Sequence, residues 1–279
     1  MIPANFDYVR PQTLDDALAA LAAGDDPKVL AGGHSLLPAM KLRLAQPRTV
    51  IDLGRIQDLS YVRHNGGQIS IGSMTTHHDL ETSALLKENC PLLPEVAASI
   101  GDAQVRNRGT LGGSLVHADP AADWPAAILA LDAQLDIAGP AGRRTVAAGD
   151  FFVEMMQSAV QPNEILVEIR VPVTGTSVAY VKFAQKASGF AIAGVAAIVE
   201  SASKTVRVGV TGVARKAFRA TAVEDALRGK NLTSANIAAA ADKADEGIET
   251  LNDIHASAEF RAHMTRVNTR RALERAGSR

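Results

Sequence analysis

The predicted fold is organised around the segment Lys28-Val29-Leu30-Ala31-Gly32-Gly33-His34-Ser35. Its first four residues form a short apolar run bounded by turn-forming residues, which predicts a buried β-strand. The two glycines that follow can adopt positive φ angles and bring backbone N–H groups close to a ligand, because no Cβ stands in the way. Successive N–H groups of this kind form an anion site, and a nearby hydroxyl adds a donor.

A second segment, Thr110-Leu111-Gly112-Gly113-Ser114, repeats the pattern of two glycines followed by a hydroxyl residue. Two such glycine turns in one chain suit the two phosphates of a dinucleotide. The pattern is not specific, because a Gly-Gly pair before serine is more often an ordinary tight turn. Neither segment matches the Rossmann or the Walker phosphate-binding motif. The residues alone therefore leave both interpretations open, a tight turn or a pyrophosphate cradle.

The composition is that of a folded protein with a large core. The chain has 279 residues, of which 47% are hydrophobic and 21% are charged, which fits two domains or one large domain with subdomains. The formal net charge is −1 and no block of like charges occurs, which argues against nucleic acid or an anionic membrane as the main partner. The longest apolar run is about half of what a bilayer span requires.

The N-terminal residues lack the charged and apolar regions of a signal peptide, so we expect a soluble, cytoplasmic protein. Cys90 is the single cysteine. One cysteine excludes an internal disulfide and any Cys-ligated iron–sulfur cluster carried by this chain alone.

The order of predicted elements divides the chain into three parts. Strands and helices alternate as far as residue 53, and Thr13 is expected to cap the first helix. Asn65-Gly66-Gly67 predicts a hairpin turn in the second part, and residues 76–86 and 92–100 are each predicted to be helical. Residues 173–177 are the best linker candidate. Beyond them, strands precede Ala-rich helices, which predicts a small antiparallel sheet covered on one side.

Few polar residues suggest chemistry on their own. His117, Asp119 and Asp123 match no metal-ligand spacing, and Asp123 is better interpreted as a helix N-cap or as an acceptor for ligand hydroxyls. His77 and His78 are expected to be partly solvated. Arg106 and Arg108 either flank an anion or are solvated, while Lys182 and Lys186 are ordinarily surface residues and Phe190 a core residue. No self-sufficient catalytic set is present, so a cofactor must supply the chemistry of any enzyme built on this chain.

Longer stretches resemble a known family. Residues 28–47 resemble the first FAD-binding motif of the medium, flavoprotein subunit of molybdenum hydroxylases, a group that includes the carbon monoxide dehydrogenase medium subunit and, more distantly, xanthine dehydrogenase FAD subunits. Residues 104–114 resemble the second motif. The likeness continues through residues 117–123, 180–183, 256–261 and 270–272, so it covers essentially the whole chain.

The resemblance implies an α+β fold with an FAD-binding domain of the vanillyl-alcohol-oxidase type. That domain is expected at residues 1–173, with two α+β subdomains at about 1–55 and 56–173. A C-terminal α+β domain with a small antiparallel sheet and helices is expected at residues 178–279.

The resemblance also implies which residues bind FAD. The pyrophosphate would be bound through backbone N–H groups and hydroxyls of two sets, Ala31, Gly32, Gly33, His34 and Ser35, and Thr110, Leu111, Gly112, Gly113 and Ser114. Asp123 would accept from ribityl or ribose hydroxyls, and Ile100 with Ile165 or Leu166 would lie near the isoalloxazine. Lys182 or Lys186 would lie near its polar edge, and Phe190 beside the ring. Relatives commonly carry an acidic residue where this chain has Gly189, which leaves the electron acceptor open.

The function implied is electron transfer within a larger enzyme. Electrons would pass from a molybdopterin site on a large subunit through two [2Fe–2S] clusters on a small subunit to FAD on this chain, and then to an external acceptor such as a quinone or NAD⁺. The assembly would be a dimer of heterotrimers, and the single cysteine agrees with clusters housed elsewhere. Two alternatives remain: a freestanding flavoenzyme acting on a small molecule, and a flavin- or nucleotide-binding protein without catalysis.

Overall fold

The computed structural model describes residues 1–279 and begins with a small α/β unit. Its elements are β1 (Asp7–Val9), α1 (Leu14–Ala23), β2 (Pro27–Leu30), α2 (Leu36–Lys41) and β3 (Thr49–Asp52). The three strands form a parallel sheet in the order β1-β3-β2. The Thr13 hydroxyl accepts from the backbone N–H of Asp16, which confirms the predicted cap of α1. In this unit, the end of β2 leads directly into the first glycine pair, Gly32 and Gly33.

The second unit is built on an antiparallel sheet. Its strands, in the order β4-β5-β10-β6-β7, are β4 (Val62–Asn65), β5 (Gln68–Gly72), β10 (Ile165–Pro172), β6 (Gln134–Gly139) and β7 (Gly142–Ala147). The predicted hairpin is present, with Gly66 and Gly67 both at positive φ. A two-stranded ribbon adds β8 (Phe152–Glu154) and β9 (Gln157–Ser158).

Seven short helices pack around that sheet. They are α3 (His77–Thr82), α4 (Ala84–Asn89), α5 (Leu92–Ala98), α6 (Ala103–Arg106), α7 (Leu111–His117), α8 (Trp124–Ala130) and α9 (Ala148–Phe151), and a single 3-10 turn lies at Gln57–Leu59. The helix predicted over residues 76–86 is in fact two helices. Ser83 separates them because its hydroxyl accepts from the N–H of Leu86 and so caps the second helix.

The C-terminal part contains an antiparallel sheet followed by helices. Its strands are β11 (Val178–Ala184), β12 (Ala191–Glu200), β13 (Thr205–Thr211) and β14 (Phe218–Arg219), paired in that order. The helices are α10 (Thr221–Leu227), α11 (Ser234–Ala241) and α12 (Ala258–Gly277). This arrangement confirms the predicted α+β fold, which ends in a small antiparallel sheet with helices. None of the helices is both long and apolar enough to cross a membrane.

The prediction that this sheet is covered on one side is wrong. Nine consecutive residues of β12 are buried, which happens only when both faces of a strand are covered. Helix α12 packs on one face, and α8 packs on the other. The contact with α8 is close because Gly209 has no side chain: a Cβ there would lie 2.0 Å from the carbonyl oxygen of Ala126. Tyr180 and Ile198 of this sheet therefore belong to the same core cluster as Trp124.

Candidate functional site

The first glycine pair lies in a loop that offers a row of unused backbone donors. The six consecutive N–H groups of residues 31–36 donate no hydrogen bond within the chain. Gly33 has a φ of 82°, a conformation that glycine adopts without strain. Residues 31–33 are half-buried, and His34 and Ser35 are exposed. Unused N–H groups in succession form a concave site that suits an anion such as a phosphate.

The loop packs directly against the second glycine segment. A Cβ on Gly32 would lie 2.2 Å from the carbonyl oxygen of Arg108 and 2.7 Å from the Cα of Gly109. A Cβ on Gly113 would lie 3.3 Å from the methyl group of Ala31. The structure therefore brings the two predicted segments into contact, and a side chain at residue 32 would push them apart.

The second segment is not a glycine turn, which corrects the prediction. It is the first turn of α7, capped by the Thr110 hydroxyl, which accepts from the N–H of Gly113 at 3.1 Å. The N–H of Leu111 donates to Thr75 at 3.0 Å and that of Gly112 donates to Ser73 at 2.8 Å. The N–H groups of four of the five residues are thus already used, since that of Ser114 donates to Thr110.

One polar group of α7 remains available to a ligand. The half-buried hydroxyl of Ser114 has no hydrogen-bond partner in the chain, and it lies next to Gly113, which faces the loop of residues 31–36. Gly112, by contrast, is needed for packing, because a Cβ there would lie 2.5 Å from the Cβ of Ser73. A valine at residue 112 would therefore disturb the fold before it affected a ligand.

A buried charged network lies at the start of α8. Asp123 is 5% exposed, and its Oδ1 accepts from the Tyr180 hydroxyl at 2.5 Å and forms an ion pair with Lys182 Nζ at 3.0 Å. Burial raises the pKa of Asp123, and the Lys182 ammonium opposes that rise. Burial next to Asp123 likewise raises the pKa of Tyr180. Asp123 occupies the N-cap position of α8, as the sequence predicted, but its carboxylate makes no capping hydrogen bond.

Lys182 connects three segments that are distant in sequence. Besides Asp123, its ammonium donates to the carbonyl oxygens of Ser99 at 2.7 Å and Gly189 at 2.8 Å. An ammonium has three N–H donors, so each already has a partner in the chain. Sequence analysis missed Tyr180, although the alternation of a strand places Tyr180 and Lys182 on the same face of β11.

No group of three His, Cys, Asp or Glu side chains is arranged to hold a metal ion. Asp119 accepts from the N–H of Ala121 at 2.8 Å, and Asp123 is occupied by Tyr180 and Lys182. The candidate site therefore consists of a loop with unused N–H groups, the unpartnered hydroxyl of Ser114 and a buried charged network.

Two family models together cover nearly the whole chain. Residues 4–174 match the FAD binding domain in molybdopterin dehydrogenase, and residues 178–276 match the CO dehydrogenase flavoprotein C-terminal domain. This chain is an FAD-binding medium subunit of the molybdenum hydroxylase family. The resemblance seen in the sequence is thereby confirmed.

Individual relatives of this medium subunit span its full length. The carbon monoxide dehydrogenase medium chain of Hydrogenophaga pseudoflava is 42% identical, over 100% of this chain and 99% of the relative. The nicotine 6-hydroxylase medium subunit of Paenarthrobacter nicotinovorans is 35% identical, over 98% and 97%. A solved structure of the Hydrogenophaga pseudoflava carbon monoxide dehydrogenase superposes with a TM-score of 0.96 and covers 100% of this chain and 99% of its counterpart.

The remaining predicted flavin contacts of the medium subunit differ in how much surface they offer. Ile165 and Leu166 are each 3% exposed and lie in two different core clusters, so they offer little surface to a ring. Ile100 is half-buried. Lys186 is exposed, and Phe190 is 47% exposed where the β11–β12 connection closes. Ile100, Lys186 and Phe190 therefore present more surface to a ligand than Ile165 and Leu166 do.

Gly189, for which the resemblance led us to expect an acidic residue, has a structural role in this chain. Gly189 has a φ of 76°, and its carbonyl oxygen accepts from Lys182. A side chain at this φ is strained in an L-residue, which accounts for glycine in this chain.

His77 is buried, although sequence analysis expected it to be partly solvated. It is 5% exposed, and its Nδ1 accepts from the indole N–H of Trp124 at 3.1 Å. Burial lowers the pKa of His77 from 6.5 to about 4, with smaller contributions from His34 and Arg106. The imidazole is therefore neutral at physiological pH and joins α3 to α8.

We expect His77 to make the medium subunit acid-sensitive. A histidine whose folded pKa is depressed contributes stability above its unfolded pKa of 6.5, and that stability is lost as the pH falls towards about 4. The loss amounts to about 3 kcal/mol over this range. Denaturant unfolding as a function of pH measures it, with His77→Gln as the control, because glutamine still accepts from Trp124 but does not titrate. Equal acid sensitivity in the two proteins would contradict the assignment.

Proposed function

We propose that this chain is the FAD-carrying electron-transfer subunit of a heterotrimeric molybdenum hydroxylase. It accepts electrons from the [2Fe–2S] clusters of a small partner subunit and passes them to an external acceptor. The substrate is oxidised on a large subunit that carries the molybdopterin. The observation that carries the proposal is the row of six unused N–H groups at residues 31–36, in a loop that packs against Gly113, the residue before the unpartnered hydroxyl of Ser114.

The residues of this chain bind and orient the cofactor. The N–H groups of Ala31, Gly32, Gly33, His34 and Ser35 hold the pyrophosphate, since they face no acceptor of the chain. The Ser114 hydroxyl adds a donor. The role of the other four residues of this segment is to support the loop of residues 31–36 structurally: Thr110, Leu111, Gly112 and Gly113. FAD, when bound, supplies the redox chemistry that the side chains of this chain lack.

The charged network of Asp123, Tyr180 and Lys182 positions the residues that we assign to the second part of the site. Lys182 forms an ion pair with Asp123 and fixes the Ser99 and Gly189 carbonyl groups. Ile100 and Phe190 lie close in sequence to these two anchored residues and, with the exposed Lys186, are the side chains that we assign to the isoalloxazine. Ile165 and Leu166 are buried in the core and would support the site only through packing.

The proposal extends to the organisation of the chain and of the enzyme. We place the FAD-binding domain at residues 1–173, with its subdomains at about 1–55 and 56–173, and the C-terminal domain at 178–279. The support is that each of these parts has a sheet of its own. The enzyme is proposed to be a cytoplasmic dimer of heterotrimers.

Purification from the native host tests the proposed function. We expect one FAD per chain in the absorbance spectrum, iron and molybdenum in metal analysis, and two further polypeptides that co-purify. A lone chain with FAD that turns over a small molecule would instead support a freestanding flavoenzyme. A folded chain that binds no flavin, alone or in complex, would contradict the proposal.

A further inference from the structure

The connection between α7 and α8, residues 118–123, is irregular backbone that the C-terminal sheet holds in place. The carbonyl oxygen of Pro120 accepts from the N–H of Gly212 at 2.6 Å, and that of Ala121 accepts from the N–H of Ala191 at 3.0 Å. Carbonyl groups outside helices and sheets need partners of this kind when they are removed from water. The ends of β12 and β13 supply these partners.

Thr211, the last residue of β13, places a further donor against the same connection. Its side chain is 0% exposed, and its hydroxyl lies 2.8 Å from the carbonyl oxygen of Pro120 and 2.7 Å from that of Ala122. A hydroxyl has a single proton to donate. Pro120 already accepts from Gly212, whereas Ala122 accepts from no other group of the chain. We therefore assign the proton of Thr211 to the carbonyl oxygen of Ala122.

This hydrogen bond fixes the backbone that leads into Asp123. The carbonyl group of Ala122 and the N–H of Asp123 belong to one planar peptide unit, so a partner for the carbonyl orients the whole unit. The side chain of Asp123 is held separately, by Tyr180 and Lys182. Within the chain its Oδ2 accepts only from Lys182, at 3.2 Å, so the carboxylate has lone pairs left for another donor.

The strand ends that hold the connection are themselves firmly placed. Gly212 has a φ of 83°, and a Cβ there would lie 2.6 Å from the carbonyl oxygen of Ala191, so the two strand ends approach this closely because residue 212 is a glycine. The buried guanidinium of Arg261 donates to the carbonyl oxygens of Ile192 and Gly212, which ties both strand ends to α12. Thr211 is thus fixed between an anchored sheet and the connection.

We propose that Thr211 is a positioning residue of the cofactor site: its hydroxyl orients the peptide unit between Ala122 and Asp123, so that the Asp123 carboxylate accepts a ribityl or ribose hydroxyl of FAD. This inference rests on the proposed function, because it assumes that FAD binds to this chain. It makes the C-terminal sheet part of the cofactor site through a residue that acts by way of the connection.

The test is the variant Thr211→Val, which removes the hydroxyl and keeps the size and β-branching that suit a strand. We expect FAD to bind at least about tenfold more weakly, because the Ala122 carbonyl loses its partner and the connection shifts to regain one. The full chain is produced with the subunits that co-purify with it, freed of flavin and titrated with FAD, and the flavin fluorescence is followed. The visible circular dichroism of the bound flavin should also change, because its contacts are altered.

Three further variants show whether the hydroxyl acts through the cofactor site. Thr211→Ser keeps the hydroxyl and Thr211→Ala lacks it, so Thr211→Ser should bind FAD about tenfold more tightly than Thr211→Ala. Thr265→Val is the matched control, because Thr265 is also 0% exposed and its hydroxyl donates to the carbonyl oxygen of Arg261 at 2.7 Å, within α12. Its FAD affinity should equal that of the unaltered chain. Urea unfolding of the flavin-free proteins compares the stability of all four variants.

The outcomes separate this inference from the proposed function. Equal FAD affinity in the unaltered chain and Thr211→Val overturns the inference and leaves the proposed function standing. If Thr211→Val does not fold, equal affinity in Thr211→Ser and Thr211→Ala overturns it instead. A loss of the same size in Thr265→Val also overturns it, because buried hydroxyls would then act through general stability. Absence of FAD from the unaltered chain defeats the proposed function and, with it, this inference.

Discussion

Replacement of Gly33 by valine is expected to lower FAD affinity by about a hundredfold or more while leaving the chain folded. Gly33 has a φ of 82°, where a β-branched side chain costs about 1–2 kcal/mol, so the loop will shift to relieve the strain. A shift misaligns the neighbouring N–H groups, and each hydrogen bond lost to a charged phosphate is worth about 1.5–3 kcal/mol. The chain stays folded because the nearest atom to the new Cβ is the mobile end of Leu37.

Gly67→Val is the matched control for that experiment. Gly67 has a φ of 88° and open space around its Cα, but it lies at the tip of the β4–β5 hairpin, away from the loop. The two variants therefore carry similar backbone strain, and only Gly33→Val should lose flavin. Titration of the flavin-free proteins with FAD, followed by fluorescence, gives both affinities. Stoichiometric, tight FAD in Gly33→Val would remove residues 31–36 from the cofactor site.

Replacement of Lys182 by methionine is expected to destabilise the protein by about 3–5 kcal/mol near neutral pH, because it leaves a buried carboxylate without its counter-ion. The side chains of Lys182 and Asp123 are 10% and 6% exposed, so water replaces little of the lost interaction. The variant also loses the donors to Ser99 and Gly189 that join the two halves of the molecule.

The destabilisation of Lys182→Met has a defined pH dependence. Burial already raises the pKa of Asp123, and removal of the ammonium raises it further. A carboxyl whose folded pKa lies above its unfolded value stabilises the fold while protonated and loses that contribution as the pH rises. Urea unfolding should therefore show a larger deficit at about pH 8 than at about pH 5.

Two further variants make that experiment decisive. Lys186→Met removes an exposed ammonium close in the chain and should have almost no effect. Asp123→Asn combined with Lys182→Met removes both charges and should recover part of the lost stability. A deficit that does not depend on pH and is not recovered in the double variant would mean that Lys182 acts only through its packing.

Local signals in the sequence predicted the parts of the fold that depend on neighbouring residues. Asn65-Gly66-Gly67 needs only its own backbone to form a hairpin, and Thr13 caps α1 through a residue three positions away. Helix α7 was missed because a Gly-Gly pair lowers helix propensity and favours a turn. Its glycine at residue 112 is required by Ser73, a residue 39 positions away, and no local pattern reports that contact.

The candidate site likewise has one part that the sequence predicted and one part that it did not. The free N–H groups of residues 31–36 follow from two adjacent glycines after a strand, so the sequence located them. The network around Asp123 depends on Tyr180 and Lys182, which lie 57 and 59 positions further along the chain. Distances of that kind are set by tertiary packing, with β11 against α5 and its neighbour β12 against α8. Sequence reasoning therefore found Asp123 and its N-cap position but not its partners Tyr180 and Lys182.

The shared core has a consequence for recombining this subunit with its relatives. Tyr180, Ile198 and Trp124 lie in one cluster, and Glu95 of α5 pairs with Arg275 and Arg279 at the end of the chain. A crossover in residues 173–177, where the two family models meet, would divide that cluster between two parents. Chimeras joined there should express poorly unless α5 and α8 come from the same parent as the C-terminal sheet, so the two family domains should be exchanged as a single unit.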